Sequence, residues 1–217
     1  MGKPRLFDLE NHFAYYGAYH SNPINILIHT LFVWPIFFTS LILFYFTPAF
    51  YDLSQAGILP SGFNHALVLN YGSAFSFFLG LFYVVLDKKA GSLAAFLCLA
   101  CWLGASSIAA KLGYSLAWKF NSILSAQVVM VAQVLCWSGQ FLGHGVFEKR
   151  APALLDNLVQ AILMAPFFVL LEPFLYLVQV LQSLFGYEPY PGFQARVNAK
   201  IKAEIKEWQD KKQKKVS

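Results

Sequence analysis

Long runs without any charged side chain constrain this chain more than any other feature. The stretch from Ile24 to Phe46 contains no Asp, Glu, Lys or Arg, and comparable runs recur three times before Gly143. A helix of about 20 apolar residues is long enough to cross the hydrocarbon core of a bilayer. We therefore predict an all-α, polytopic membrane helical bundle. A soluble enzyme with a very large core is the alternative interpretation.

The composition favours the membrane. Only 12% of the 217 residues are charged, whereas soluble domains carry about 25%. A soluble globule needs charged side chains to cover its surface, and this chain has too few of them. The three cysteines all lie within apolar runs, so we interpret them as buried hydrophobic side chains and expect no disulfide.

Four of the apolar runs predict full membrane spans. Ser21, Asn22 and Pro23 are typical of a helix start, because Asn caps free N–H groups and Pro suits the first helical position. Pro35 is expected to kink the first span, and residues 47–62 and 111–122 are expected to form loops. The predicted spans cover residues 24–46, 64–86, 91–110 and 123–142.

A fifth apolar element, residues 158–185, is interrupted by Pro166, Glu172 and Pro173. This pattern favours a Pro-broken helical hairpin or re-entrant pair, with a single tilted span as the alternative. The sequence thus predicts one membrane-embedded catalytic domain, residues 1–192, followed by a basic cytosolic tail, residues 193–217.

The tail carries the entire formal net charge of +5. Apolar residues recur through it at helical spacing, which predicts an amphipathic helix lying on the membrane surface. An anionic membrane is therefore the expected partner of its lysines, rather than a nucleic acid. The apolar positions are Phe193, Val197, Ile201, Ile205 and Trp208.

Most other Lys and Arg residues fall on the same side of the predicted bundle as this tail. The positive-inside tendency then places both termini in the cytosol. Lys214 and Lys215 are the fourth and third residues from the end, and they resemble the dilysine retrieval signal of endoplasmic-reticulum membrane proteins. Lys3 and Arg5 precede a polar, aromatic stretch, so we expect no cleavable signal peptide.

Histidines are the strongest candidates for chemistry in this chain. The predicted topology places His20, His29 and His144 at one cytosolic depth, and ionisable groups in or against a membrane suggest function. The break at residues 21–23 lets His20 fold back over the helix that carries His29. His12 is a secondary candidate on the leading segment, and His65 falls at the opposite face without an assigned role.

A second polar stripe accompanies the third histidine. Gln140, His144 and Glu148 recur at every fourth residue, and glycines on both sides of His144 allow a close approach. Two or three histidines with a carboxylate form the ligand set of non-haem Fe(II) oxygenases. Zn²⁺ accepts the same ligands, and a proton relay or a salt-bridged structural cluster remains a further alternative.

Neighbouring polar residues suggest supporting roles. Lys149 and Arg150 are candidates to hold the carboxylate of an acidic lipid, or they anchor the chain at the interface. Other residues are candidates to orient the ligating histidines or to act in catalysis. These are Tyr16, Asn25, Asp156 and Asn157, together with Gln140.

Two stretches, YHSNPINILIH at residues 19–29 and QFLGHGVFEKRAPAL at residues 140–154, resemble signature segments of the endoplasmic-reticulum 2-hydroxy fatty acid dioxygenases. The likeness extends over about residues 6–172, with the middle spans matching in hydrophobicity only.

The resemblance implies Fe(II)-dependent alpha-oxidation of long-chain 2-hydroxy fatty acids by dioxygen, without 2-oxoglutarate. The product would be a fatty acid one carbon shorter. The expected substrates include 2-hydroxypalmitic acid from phytosphingosine breakdown. The resemblance also implies His20, His29 and His144 as iron ligands, whereas Glu148 as a fourth ligand is our own inference.

Two other classes of function fit an apolar chain of this kind. A non-enzymatic lipid-binding or scaffold protein would hold no metal and would tolerate loss of His144. A small transporter would use the broken element, residues 158–185, as a substrate site.

Overall fold

The computed structural model describes residues 7–53, 67–118, 128–152, 155, 158, 162–170 and 188–214. Within these ranges the chain is mostly helical, which confirms the predicted class. The chain divides into two compact units. One combines Met1–Thr30 with Phe141–Ser217, and the other is Leu31–Gln140.

Helices α1 (Leu9–Tyr19) and α2 (Pro23–Tyr45) open the chain. Asp8 caps α1 by accepting a hydrogen bond from the Asn11 backbone N–H at 3.0 Å. The side chain of Asn22 accepts from Ile24 N–H at 2.9 Å, so the predicted start of the first span is confirmed. The helix continues through Pro35 and ends one residue before the predicted boundary.

A short antiparallel ribbon precedes the next helix in the second unit. Strand β1 (Tyr51–Asp52) pairs with β2 (Val68–Leu69), and α3 (Tyr71–Leu86) follows. The predicted helix start at residue 64 is wrong at residues 67–70, because Asn70 caps α3 by accepting from the N–H groups of Gly72 and Ser73. At about 1.5 Å per residue, the resulting helix is shorter than a bilayer core of about 30 Å.

Helix α4 (Lys88–Trp118) follows α3 after a tight turn at Asp87. The Asp87 carboxylate caps α4 by accepting from Ala90 N–H at 2.7 Å. The turn requires glycine at position 91, since a Cβ there would lie 1.9 Å from the Tyr83 carbonyl oxygen. The predicted loop over residues 111–122 is wrong at residues 111–118, which continue the helix.

Helix α5 (Val128–Leu142) ends where the fourth predicted span ends, whereas residues 123–127 lie outside the described ranges. It packs on α2 within the second unit. The Gln133 side-chain amide donates to the Ile36 carbonyl at 3.0 Å and to Thr39 Oγ1 at 2.7 Å. The Gln133 amide therefore links α5 to α2 by hydrogen bonds.

Two helices in the described ranges are long and apolar enough to cross a membrane, residues 23–45 and 88–111. In the most apolar 18-residue stretch of each helix, only 28% and 33% is buried, respectively. The four predicted spans are thus not all confirmed. In the broken element, the described residues 162–170 are helical through Pro166, and residues 171–187 lie outside the described ranges.

Helix α6 (Phe193–Lys214) confirms the predicted C-terminal helix. Its apolar stripe packs against α1, with the Phe193 ring edge-on to Phe13 at 5.4 Å between centroids. Phe193 and Val197 are only 3% and 2% exposed. Protein therefore covers these stripe residues, contrary to the expectation that the stripe would lie on a bilayer.

An ionic network secures the same helix pair. Glu10 of α1 accepts from Arg196 at 3.1 Å and pairs with Lys200 at 2.6 Å. The Lys200 hydrogen bond lowers the pKa of the Glu10 carboxyl to about 2, with further help from Tyr190 and Arg196. The carboxylate therefore stays ionised at neutral and mildly acidic pH, and this contribution is lost only as the pH falls from about 4.5 towards 2.

Candidate metal centre

His20 lies immediately after α1, where the helix ends and the chain turns towards α2. Its Nδ1 lies 2.8 Å from the Tyr16 carbonyl oxygen, so we assign the ring proton to Nδ1. The opposite nitrogen, Nε2, is buried and makes no hydrogen bond within the described part of the chain. A buried imidazole nitrogen with a free lone pair is a ready metal ligand.

His29 repeats this arrangement one helix later. Its Nδ1 lies 2.9 Å from the carbonyl oxygen of Asn25, four residues earlier on α2. A second imidazole therefore presents Nε2 while the backbone holds the other nitrogen. Histidine ligands of metal sites usually donate their second N–H to a carbonyl or carboxylate in this way.

His144 enters from the other part of the same unit, where α5 passes into a π-helical turn at Gly143–Glu148. Such turns are rare and often occur at functional sites. The ring is buried, and its Nδ1 makes no hydrogen bond to any described residue. The wider turn ends at Lys149, whose backbone adopts a left-handed conformation with φ of 54°.

The three rings face one another. Their centroids are 4.3 Å apart for His20 and His29, 4.9 Å for His20 and His144, and 4.8 Å for His29 and His144. One ligand nitrogen from each ring can be chosen so that all lie within 4.8 Å of one another. No other group of three possible metal ligands occurs among the described residues.

Burial favours the neutral form of His20 and His144. It lowers the pKa of His144 to about 4, and it lowers the pKa of His20 well below the usual range, where His29 and His144 act in the same direction. A metal ion binds neutral imidazole, so these groups need not release protons at pH 7. Three buried imidazoles, each with a nitrogen within 4.8 Å of the others, fit a single divalent ion.

Comparison with known proteins identifies the family of this chain. Residues 6–175 match the family model described as 2-hydroxy-palmitic acid dioxygenase Mpo1-like. The chain belongs to the Mpo1-like family. A curated relative, 2-hydroxy-palmitic acid dioxygenase MPO1 of Saccharomyces cerevisiae, is 32% identical over 167 residues, which is 77% of this chain and 80% of the yeast protein. No solved structure matches the chain.

Glu148 occupies a different position in this Mpo1-like chain from the one expected. Its Oε1 accepts from the backbone N–H and hydroxyl of Ser21, at 3.0 and 2.5 Å. Its Oε2 accepts from Asn22 N–H at 3.0 Å and from the Asn25 side chain at 3.1 Å. The structure does not bring Glu148 into the histidine group, because both carboxylate oxygens bind donors in the turn before α2.

Asn25 is fully buried and links two parts of the site. Its backbone carbonyl orients His29, and its side-chain amide donates to Glu148. The opposite face of the amide lies against Gly143, where a Cβ would be 2.4 Å from Asn25 Oδ1. Of the two glycines that flank His144, only Gly143 serves close packing, since a Cβ at Gly145 would meet nothing within 4 Å.

Tyr16 contacts His20 through both its ring and its backbone. Its ring stacks on the imidazole with 3.8 Å between centroids, and its backbone carbonyl accepts a hydrogen bond from Nδ1–H. Gln140 is buried near the end of α5 and belongs to the second unit, so its role stays a prediction. Asp156 and Asn157 lie outside the described residues, as does His65.

The two basic residues after Glu148 differ sharply. Lys149 is exposed, which suits contact with a substrate carboxylate. Arg150 instead donates to the Ala18 carbonyl at 2.8 Å, and its guanidinium lies 3.6 Å from the Tyr19 ring centroid and 5.2 Å from that of Trp208. It holds the end of α1 to α6, which leaves it poorly placed for the predicted role in substrate binding.

The sequence does not indicate the partners of Glu148 and Arg150. Ser21 and Asn22 have a recognisable helix-start pattern, but nothing in it indicates a carboxylate more than 120 residues away. His12 is buried on α1 and lies outside the group of three histidines.

Proposed function

We propose that this chain is an Fe(II)-dependent dioxygenase that shortens long-chain 2-hydroxy fatty acids by one carbon. One observation carries the proposal: His20, His29 and His144 converge in a chain whose family is described by the 2-hydroxy-palmitic acid dioxygenase reaction. The yeast relative, which bears the same name, supports the same substrate class.

The three imidazoles would hold the iron through nitrogens that the rest of the site leaves free. A ferrous ion with three protein ligands would supply open positions for the hydroxy acid and for dioxygen, together with redox chemistry. Tyr16 and Asn25 would keep His20 and His29 in the required tautomer through their carbonyl oxygens. Burial of the rings would limit access of water.

The electron balance agrees with independence from 2-oxoglutarate. Conversion of a 2-hydroxy acid to the acid one carbon shorter plus carbon dioxide releases four electrons, and reduction of one dioxygen to water consumes four. The bond between C1 and C2 breaks, and the carbon that bore the hydroxyl becomes the new carboxyl. The substrate itself therefore supplies every electron, and no second organic reductant is needed.

The alkyl chain of the substrate needs an apolar environment. Near the histidines, α2 exposes Ile24 and Leu27, and the segment that carries His144 exposes Phe141, Leu142 and Val146. Exposed apolar side chains of this kind suit contact with lipid. We propose that the alkyl chain lies in the bilayer beside these residues while the exposed Lys149 contacts the carboxylate.

We further propose a multi-pass protein of the endoplasmic-reticulum membrane with both termini in the cytosol. In this arrangement, four spans and a broken fifth element form a catalytic domain of residues 1–192, and residues 193–217 follow as a basic tail. The two apolar helices and the exposed apolar surface support a membrane location. Membrane lipid is the expected partner, and no nucleic acid is expected.

An activity assay tests the function. Purified protein loaded with Fe(II) should convert 2-hydroxypalmitate to the acid one carbon shorter, with one dioxygen consumed per product and no need for 2-oxoglutarate. Palmitate is the matched control, because it lacks the hydroxyl and should give no product. Mass spectrometry and an oxygen electrode provide the measurements. No turnover of the hydroxy acid by iron-loaded, folded protein would contradict the proposal and favour a lipid-binding or scaffold role.

A further inference from the structure

We infer that Glu148 is a positioning residue that ties the His144 segment to the turn between His20 and His29. The inference rests on the proposed metal site, and it assigns the carboxylate a role other than that of a ligand. It predicts that removing the carboxylate weakens metal binding without changing the ligands of the ion.

The contacts of Glu148 all lead to one short stretch of chain. Ser21 and Asn22 form the turn directly after His20, and Asn25 is the residue whose carbonyl orients His29. Four hydrogen bonds from these three residues, between 2.5 and 3.1 Å long, converge on the two carboxylate oxygens. Glu148 itself ends the π-helical turn that carries His144.

This carboxylate therefore connects the separate parts of the histidine group. His20 and His29 come from one end of the chain and His144 from the other, so their relative position depends on contacts between these segments. A shift of the Glu148 side chain would move the turn beside His20 away from the π-helical turn. Residues that orient metal ligands typically change metal affinity about 10- to 100-fold when they are replaced.

Position 148 requires a side chain that accepts hydrogen bonds and donates none. Two backbone N–H groups, a hydroxyl and a side-chain amide all point towards Glu148. A carboxylate can accept from all of them, whereas the amide of Gln has one acceptor oxygen and one NH₂ group. In Glu148→Gln, that NH₂ group would face either the Ser21 donors or those of Asn22 and Asn25.

Binding of Co(II) to the full-length protein separates positioning from ligation. We expect Glu148→Gln to bind Co(II) about 10- to 100-fold more weakly than wild type, with an unchanged visible absorption spectrum at saturation. Ser21→Ala removes only one donor and should cause a smaller loss. Glu207→Gln is the matched control, since it makes the same chemical change at an exposed residue of α6, and it should retain wild-type Co(II) affinity.

Two results would overturn the inference. Wild-type Co(II) affinity in Glu148→Gln would show that the contacts do not position the site, and an altered absorption spectrum at saturation would show that Glu148 is a ligand. Hydrogen exchange of metal-free protein gives a readout that does not depend on metal. The amides of Ser21 and Asn22 should exchange faster in Glu148→Gln than in wild type. Equal exchange rates would refute the role of Glu148 in holding this turn.

The same experiment separates failure of this inference from failure of the proposed function. If wild type bound no Co(II), the proposed metal site would fail, and with it the role of Glu148 in positioning that site. If wild type bound Co(II) and the variant matched it, only the role of Glu148 would fail.

Discussion

Replacing His144 with Ala should eliminate stable metal binding and reduce product formation to background. The substitution removes one of three converging imidazoles, so we expect the two that remain to hold the ion far less tightly. The loss of affinity should exceed about 100-fold, the upper end of what removal of an orienting residue causes. Metal content after desalting and mass spectrometry of the fatty acid product measure the two effects.

His20→Ala and His29→Ala should behave like His144→Ala, because each removes one member of the same group. His65→Ala is the control for a general effect of removing a histidine, since the sequence assigns it no role at the site. Full metal content in any of the three site variants would exclude that residue from the metal centre.

Gly143→Ala should destabilise the protein strongly, whereas Gly145→Ala should have little effect. A Cβ at position 143 would lie 2.4 Å from Asn25 Oδ1, and Asn25 is fully buried and cannot move aside easily. Overpacking of this kind costs about 1–3 kcal/mol. Displacing Asn25 would also disturb the carbonyl that orients His29, so metal affinity should fall together with the melting temperature.

Gly145 is a matched control because it flanks His144 on the other side, within the same π-helical turn. A Cβ there would meet nothing within 4 Å. Gly145→Ala therefore shows the general cost of a side chain in this turn without a steric clash. Thermal unfolding and metal titration of both variants provide the comparison. Equal stability and affinity of the two variants would contradict the packing of Asn25 against Gly143.

Features encoded in neighbouring residues were predictable from the sequence. The caps at the start of α2, the end of α5 at Leu142 and the start of α6 at Phe193 all follow from local patterns. The approach of His20 to His29 also followed from the helix break between them. His144 could be added because its predicted depth matched theirs.

Features that depend on competing partners were not predictable in the same way. Apolar residues occur on both sides of Asn70, so the hydrophobic pattern does not mark the start of α3. The Asn70 cap fixes that start. The apolar stripe of α6 satisfied a membrane or a protein surface equally well, and only packing on α1 distinguishes them. Glu148 suited a metal ligand by residue type, but its four hydrogen bonds come from a turn distant in sequence.

X-ray absorption spectroscopy of wild-type protein loaded with one equivalent of Zn(II) tests the three-histidine centre most directly. We expect three imidazole nitrogens at about 2.0–2.1 Å from the ion, with the outer-shell scattering that is typical of histidine rings. An ion surrounded by oxygen alone, or by fewer than three imidazoles, would contradict this expectation.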